Sequence, residues 1–224
     1  MRPMPSPSLA MTETSVPEKR PRGRPARPPA EVRQALLRHA MQLLLEQGYE
    51  ATTMEAVAAQ AGVAKKTVYR HAANREALVG LAVREWSDGF APLMQRDAGH
   101  RDELLPLLRG ILQSICERVL SASAVKLFRL LTTEFPGKPQ LLDSYQANGI
   151  GRGRGLLAEW LARQQRRGLL RNGDPADMAT LILAMAVAEP LRQMALGLAA
   201  PLPDGSVAAH LDACLALLAP GLLP

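Results

Sequence analysis

The sequence predicts an all-α protein, and three observations support this fold class. The chain of 224 residues is 47% apolar but only 4% aromatic, so its core must be aliphatic. Its long stretches of Ala, Leu, Arg, Gln and Glu favour helix, and they contain few of the β-branched residues that favour strands. Apolar residues recur along these stretches with helical spacing. A chain of this length buries a sizeable core, in one large domain or two smaller ones.

Helix signals follow one another from the N-terminal third onward. The first helix is expected to begin near residue 29 and to end at Gly48. Thr52 with Glu55 forms a capping-box pattern for the second helix, Thr53 is an equally suitable cap, and the sequence leaves this register open. Gly62 ends the second helix. The other predicted helices span 65–71, 75–88, 101–120, 124–134, 139–168 with a break near 149–155, 174–196 and 206–218.

Charge and cysteine content narrow the class of protein. The net charge is +6, and residues 1–30 hold six Lys/Arg against two Glu. An anionic polymer is the natural partner of such a segment, although many basic tails are only solvated. Cys116 and Cys214 lie far apart, and the first residues lack the apolar run of a secretory signal. We therefore expect a cytoplasmic protein with neither a disulfide framework nor a membrane span.

The stretch TTMEAVAAQAGVAKKTVYRHA, residues 52–72, carries the most informative pattern. Ala58 is small where two helices would cross, Gly62 supplies the turn, and Val68 fills the interface from the second helix. This pattern is typical of a helix-turn-helix, whose second helix can lie in the DNA major groove. The alternative is an ordinary helical corner with a solvated pair of lysines. The residues expected to contact phosphates or base edges are Thr53, Lys65, Lys66, Thr67, Tyr69 and His71.

Three segments between residues 31 and 86 extend this pattern: EQGYEATT, VAAQAGVAKKTVYRH and NREALV. Together they resemble the TetR family of bacterial transcriptional regulators. The resemblance implies a DNA-binding domain at 29–75, a fourth connecting helix, and a helical domain at 76–224 that dimerises and holds a small-molecule pocket. Further along, EFPGKPQLLDSYQANG and RGLLRNGDPADMA resemble the AefR-like subgroup.

Two positions depart from the family pattern. Ala64 stands where the family usually has serine, which removes a side-chain cap worth about 1 kcal/mol. Ala72 stands where the family usually has phenylalanine, which removes a large packing residue between the third and fourth helices. Either a neighbour fills that space, or the head is looser than in its relatives.

Residues 1–28 are rich in Pro, Ser and Arg and are expected to form a disordered basic arm. Within RPRGRPARP, the RGRP segment resembles the core of an AT-hook. Glycine would let the backbone sink into a narrow minor groove, where Arg22 and Arg24 would meet its negative potential. Our hypothesis is that the arm adds A·T preference beside the recognition helix. The alternative is non-specific contact with phosphates.

Dimerisation is expected because one helix-turn-helix reads only a few base pairs. The segment ATLILAMAVAEPLRQMALG, 179–197, is apolar nearly all round. Together with VAAHLDACLALL, 207–218, it would form a four-helix bundle across a two-fold axis. The alternative is that one of these helices is wholly buried within its own domain.

A small-molecule pocket is expected among the helices between residues 90 and 190. Little charge falls at apparent inward positions, which favours an apolar or amphipathic effector, and no metal or cofactor is expected. Each candidate lining residue also suits plain core. The candidates are Phe90, Met94, Cys116, Phe128, Phe135, Trp160, Met178 and Met185.

The chain is therefore predicted to be a sequence-specific transcriptional regulator, in the simplest case a repressor. It would bind a palindromic operator as a homodimer and leave it when an effector swings the fourth helix. An enzyme is not expected, because the four histidines fall on separate segments and neither a phosphate-binding loop nor a nucleophile elbow occurs. The remaining alternative is an architectural DNA-binding protein that uses the arm without effector control.

Overall fold

The computed structural model describes residues 28–133, 137–203 and 206–224, and their regular structure is helical. Across these ranges the one bridge between extended residues joins Ser121 to Leu202. The all-α prediction is confirmed. None of the helices in these ranges is both long and apolar enough to cross a membrane. The α-helices are α1 (Pro29–Gln47), α2 (Met54–Ala61), α3 (Lys65–Tyr69), α4 (Arg75–Asp88), α5 (Arg101–Val119), α6 (Ala122–Thr133), α7 (Pro139–Tyr145), α8 (Arg152–Arg166), α9 (Pro175–Leu183), α10 (Glu189–Ala195) and α11 (Ala208–Leu222).

The start of α2 settles the cap that the sequence left open. The hydroxyl oxygen of Thr53 accepts a hydrogen bond from the backbone N–H of Ala56 at 3.0 Å. Thr52 is buried, and its hydroxyl donates to the carbonyl oxygen of Gly48 at 2.8 Å. Thr53 is therefore the N-cap, because the end of α1 engages the hydroxyl of Thr52.

Several predicted boundaries in the second half of the chain differ from the structure. The break expected near 149–155 is a π-helical turn at Gln146–Gly151, which we call the first π segment. The helix expected over 174–196 contains a second π segment, Ala184–Ala188. A π turn adds a residue to the helical turn without ending the helix, which apolar spacing does not reveal. The final helix begins two residues later than expected and continues to Leu222.

Buried side chains form three groups that divide the molecule. The head group joins α1 to α4 around residues such as Leu36 and Val68. The body group joins α5 and α8 to α11 around residues such as Trp160. A smaller joint group, which contains Tyr49 and Val83, connects α1 and α4 to α6 and α7. The connecting helix α4 contributes to both the head and the joint.

Candidate nucleic-acid interface

The turn between α2 and α3 depends on Gly62. This residue has a φ of 65° and ψ of 38°, the left-handed conformation that glycine adopts without a Cβ penalty. The backbone N–H of Val63 donates to the carbonyl oxygen of Ala58 at 3.0 Å, which closes the end of α2 as in a Schellman motif. A Cβ at position 62 would meet no atom within 4 Å, so the backbone conformation, not lack of space, requires glycine here.

The short helix α3 is held by one side chain. Val68 is completely buried against α2 and the rest of the head, as the sequence predicted. On the opposite face, Lys65, Lys66 and Tyr69 are exposed, with Tyr69 47% accessible. One buried valine therefore determines which three side chains the helix presents outward.

The outward face contains one paired and one unpaired ammonium group. Lys65 forms a salt bridge with Glu55 of α2, and its ammonium lies 5.6 Å from the centroid of the Tyr69 ring. The hydrogen bond between the two side chains raises the pKa of Lys65 and lowers that of Glu55. Lys66 has no ion pair among the residues that the structure describes. Its charge is therefore available to a phosphate or base.

The other predicted contact residues are less prominent. Thr67 and His71 are half-buried, and Thr53 is half-buried with its oxygen used as the α2 cap. Arg22 and Arg24 lie outside the described residues. The described part of the site therefore brings Lys65, Lys66 and Tyr69 onto one exposed surface, with the threonines and His71 at its edge.

Arg70 was not among the contact residues predicted from the sequence. Its side chain is exposed at the end of α3, and Nη2 donates to the hydroxyl oxygen of Thr67 at 3.4 Å. The signal was available, because Arg70 follows Lys66 by four residues and Thr67 by three, which places all three on one helix face.

The departures at Ala64 and Ala72 have different outcomes. Ala64 precedes α3 with no side-chain hydrogen bond to the helix, so the predicted loss of a cap is confirmed. Ala72 is 5% exposed and belongs to the head group with Leu78 and Ala82. Neighbouring side chains therefore cover the position where a larger residue would lie.

A polar network at Tyr49 connects the end of α1 and the start of α4 to the start of α7. The guanidinium of Arg75 lies 3.8 Å from the centroid of the Tyr49 ring, and the ammonium of Lys138 lies 4.9 Å from it. The Tyr49 hydroxyl donates to the Glu76 carboxylate at 2.5 Å. Lys138 and Arg75 both pair with Glu50, at 2.7 and 3.3 Å. Residues that follow α1, begin α4 and precede α7 therefore meet around one ring.

The connecting helix α4 also lies unusually close to the end of α7 and to the first π segment that follows it. A Cβ at Gly80 would overlap the hydroxyl of Ser144 and come within 3.2 Å of the amide nitrogen of Asn148. On the facing side, a Cβ at Gly149 would come within 3.1 Å of a Val83 methyl. Two glycines, one on each element, thus permit the contact between α4 and the body.

The candidate effector residues are placed mainly in closed core. The structure brings Phe90, Met94, Cys116 and Trp160 together in the body group, each at most 4% exposed, and packs half-buried Met178 against it. Phe128 packs against the joint group instead, Met185 is half-buried, and Phe135 lies outside the described residues. Burial raises the pKa of Cys116 to about 12. None of these residues lines the open cleft beside α1 and α4.

That cleft, of about 940 Å³, lies between α1, α4 and the adjoining ends of α5 and α6. Its lining combines apolar residues such as Leu45 and Trp86 with charged ones such as Arg118 and Lys126. It was not predicted from the sequence, because its walls come from three segments that are distant in the chain, 34–46, 82–89 and 118–126.

The helices expected to dimerise leave large apolar side chains in contact with solvent. Leu181 on α9 is 62% exposed and Leu217 on α11 is 72% exposed. Leu196 and Leu198, just after α10, are 61% and 68% exposed. Each helix also buries residues in the body. Because Leu181 and Leu217 are exposed, neither α9 nor α11 is wholly enclosed by its own domain, which was the alternative considered.

The chain matches two sequence models of protein families. The model described as bacterial regulatory proteins of the tetR family matches residues 36–82. The model described as the AefR-like transcriptional repressor C-terminal domain matches residues 106–219. The two matches cover the head and most of the body.

Curated relatives include two regulators. The HTH-type transcriptional regulator TcmR of Streptomyces glaucescens is 31% identical over 134 residues, which are 59% of this chain and 54% of TcmR. The chain thus spans about half the length of that relative. The uncharacterized HTH-type transcriptional regulator YvkB of Bacillus subtilis is 23% identical over 167 residues, 72% of this chain and 82% of YvkB.

Solved structures share the fold. A TetR-family regulator from Mesorhizobium loti superposes with a TM-score of 0.70 at 21% identity, over 89% of this chain and all of the other. The flavonoid-responsive regulator FrrA gives a TM-score of 0.64 at 25% identity, over 87% of this chain and 98% of FrrA. With both family models matched and the same helical architecture, the chain belongs to the TetR family of bacterial transcriptional regulators and has an AefR-like C-terminal domain.

Proposed function

We propose that this protein is a repressor that binds a palindromic operator as a homodimer and releases it on binding a small apolar or amphipathic effector. The observation that carries the proposal is the geometry of α3, where buried Val68 turns Lys65, Lys66 and Tyr69 outward. An exposed helix with this chemistry suits the major groove, where lysine contacts phosphates or guanine edges. The AefR-like repressor match supports the direction of regulation.

The proposed dimer places α9, α10 and α11 against the same helices of a second copy. Exposed leucines on these elements, Leu181 and Leu217 among them, supply the apolar surface that such an interface needs. Two recognition helices related by a two-fold axis would read two half-sites about one helical turn apart. The domain division at residue 75 is part of this proposal, with α4 passing between the head and the joint.

Effector release would act through α4. In the proposed mechanism the effector binds the body, favours a second arrangement of the helices packed on α4, and so changes the spacing of the two heads. The close approach of Asn148 to Gly80 supports this route, because Asn148 lies in the first π segment and a shift of that segment would press directly on the α4 backbone. FrrA, whose name describes it as flavonoid-responsive, supports an aromatic or amphipathic class of effector.

A footprint on the DNA upstream of the protein's own gene tests the proposal. We expect one protected palindrome. Lys66→Ala should weaken binding at least about five-fold, because it removes a charge with no other partner in the described head. The matched control is Arg166→Ala, which removes an exposed charge from α8. Diffuse protection of A·T-rich DNA that survives Lys66→Ala would contradict the proposal and favour the architectural alternative.

The N-terminal arm is proposed to read the minor groove through Arg22 and Arg24. Replacing both by alanine should reduce the preference for A·T-rich flanks as well as the salt dependence of binding. Replacing Arg20 and Arg27 by alanine removes the same charge and leaves the RGRP segment intact. Equal effects of the two double variants on A·T preference would show that the arm contacts only phosphates.

A further inference from the structure

The cleft between α1, α4 and α6 has an apolar floor. Leu37, Met41 and Leu45 present one face of α1 to it, and Trp86 closes the opposite wall on α4. These residues belong to or pack against the interior groups, yet the space above them stays open. A cleft of about 940 Å³ is large enough for a small organic molecule.

The charged groups around the floor differ in whether they have a partner: the carboxylates are mostly paired, and the cations are not. Two of the cleft's carboxylates already have cationic partners, since Glu85 pairs with Arg33 at 3.0 Å and Asp88 pairs with Arg152 at 2.6 Å. A third, Glu46, accepts a hydrogen bond from Gln42 at 3.0 Å. The exposed cations that line the cleft are Arg38, Arg118 and Lys126, and none of them forms an ion pair within the described ranges. The unpaired charge of the cleft is therefore mainly positive.

Arg118 is held in place without using its hydrogen-bonding capacity. Its guanidinium lies 5.8 Å from the centroid of the Trp86 ring and 5.5 Å from that of Phe90. It also occupies the position that a side chain at Gly89 would take, so that a Cβ there would overlap it. No acceptor for this guanidinium is found in the described part of the chain. The aromatic rings and Gly89 thus orient a cation whose donors remain available.

We propose that this cleft binds a small amphipathic carboxylate. The carboxylate would accept hydrogen bonds from Arg118 with Lys126 close by, and the hydrocarbon part would cover Leu45 and Trp86. The site goes beyond the proposed function, because none of the core residues named as effector candidates lines the cleft. Its occupancy is measured on the free protein, so its failure leaves the operator experiment unaffected.

Isothermal titration of the full-length protein with sodium decanoate tests this site. Decyltrimethylammonium, which carries the same alkyl chain with the opposite charge, is the matched ligand. We expect sub-millimolar binding of decanoate and at least ten-fold weaker binding of the cation. Absence of decanoate binding, or equal binding of both amphiphiles, would overturn the proposal.

Three variants locate the bound decanoate. Arg118→Gln should weaken binding at least five-fold, while Arg166→Gln, an exposed charge change on α8, should leave it unchanged. Gly89→Ala keeps every charge but displaces the guanidinium, and it should also weaken binding. Thermal melts confirm that each variant is folded. Wild-type affinity in both Arg118→Gln and Gly89→Ala would place decanoate elsewhere and refute the cleft as its site.

Discussion

The head and the body of this protein hold their helices in different ways. In the head, side chains next to the helix ends stabilise α2 and α4, with Thr53 and Asn74 bonding to N–H groups three residues away. In the body, α5, α8 and α11 begin without a side-chain cap, and Asp174 before α9 is an exception. Side chains therefore cap two of the four head helices, whereas α1, α3 and most body helices begin without such a cap and need other support.

Long-range polar contacts supply that support. The indole N–H of Trp160 donates to the carbonyl oxygen of Arg96 at 2.9 Å, and the Gln164 amide donates to Asp97 at 2.8 Å. Arg129 donates to the carbonyl oxygen of Ala195 at 2.8 Å. These partners lie 64 to 67 residues apart in the chain. The comparison teaches that a helix can be specified by its neighbours in sequence or by its neighbours in space, and this chain uses each in a different region.

The largest expected effect tests the body. Trp160→Ala should lower the free energy of unfolding by about 3–5 kcal/mol, because it empties a fully buried site and leaves the Arg96 carbonyl without its donor. Urea denaturation measures the change. Glu159→Ala, on the exposed side of the same helix, should stay within about 0.5 kcal/mol of the wild type. A loss below about 1 kcal/mol for Trp160→Ala would mean that the body does not depend on this contact.

A smaller effect tests whether the head core is separate. Val68→Ala should cost about 2 kcal/mol from lost burial and a residual cavity. Hydrogen exchange should show faster exchange in α2 and α3 with α8 unchanged, because Val68 packs only within the head group. Lys66→Ala is the exposed neighbour for comparison. Equal loss of protection in α8 would show that head and body unfold as one unit. It would contradict the view that the head has a separate core.

The missing cap of α3 provides a test in which the substitution should increase stability and not decrease it. Ala64→Ser should stabilise the head by about 1 kcal/mol, because serine can accept a hydrogen bond from an unpaired N–H of the first turn. Thermal denaturation followed by circular dichroism measures the gain. Ala59→Ser makes the same chemical change inside α2, where a cap is not needed, and should cost a few tenths of a kcal/mol. Without a gain at Ala64, local capping would not limit the stability of this helix.

The last test concerns the joint at high pH. Burial, with the hydrogen bond to Glu76, raises the pKa of Tyr49 from 10.0 to about 12. A phenol with a raised folded-state pKa stabilises the fold below the unfolded value, and this contribution declines as pH rises from 10.0 toward about 12. The difference in unfolding free energy between wild type and Tyr49→Phe should therefore be larger at about pH 9 than at about pH 11.5. A difference that does not change with pH would contradict the assignment.

The structure of the head could be predicted from the sequence more accurately than that of the body. The head could be predicted closely, since Gly48, Gly62 and Asn74 act on residues next to them, and burial of Val68 follows from helical spacing. The choice between Thr52 and Thr53 could not be made, because it depends on the end of α1 folding back to engage Thr52. The sequence predicted a structural feature correctly only where the interacting residues lie close together in the chain.

In the body, helices were predicted but their irregularities were not. The first π segment lies where Gly80 of α4 approaches Ser144, and that approach joins segments 64 residues apart. The cleft has the same origin, because α1 and α6 form its walls without being neighbours in the chain. Both features result from how distant helices pack, which periodicity along one helix does not encode.

The ring of Tyr49 has a consequence for protein engineering. Among the side chains that surround this ring, Arg75 and Glu76 begin α4, which lies in the same segment 28–88 as Tyr49, and Lys138 directly precedes α7. A chimera that transplants residues 28–88 onto another helical scaffold therefore carries most of this polar anchor with it. The recipient scaffold needs a basic residue immediately before the helix that takes the place of α7.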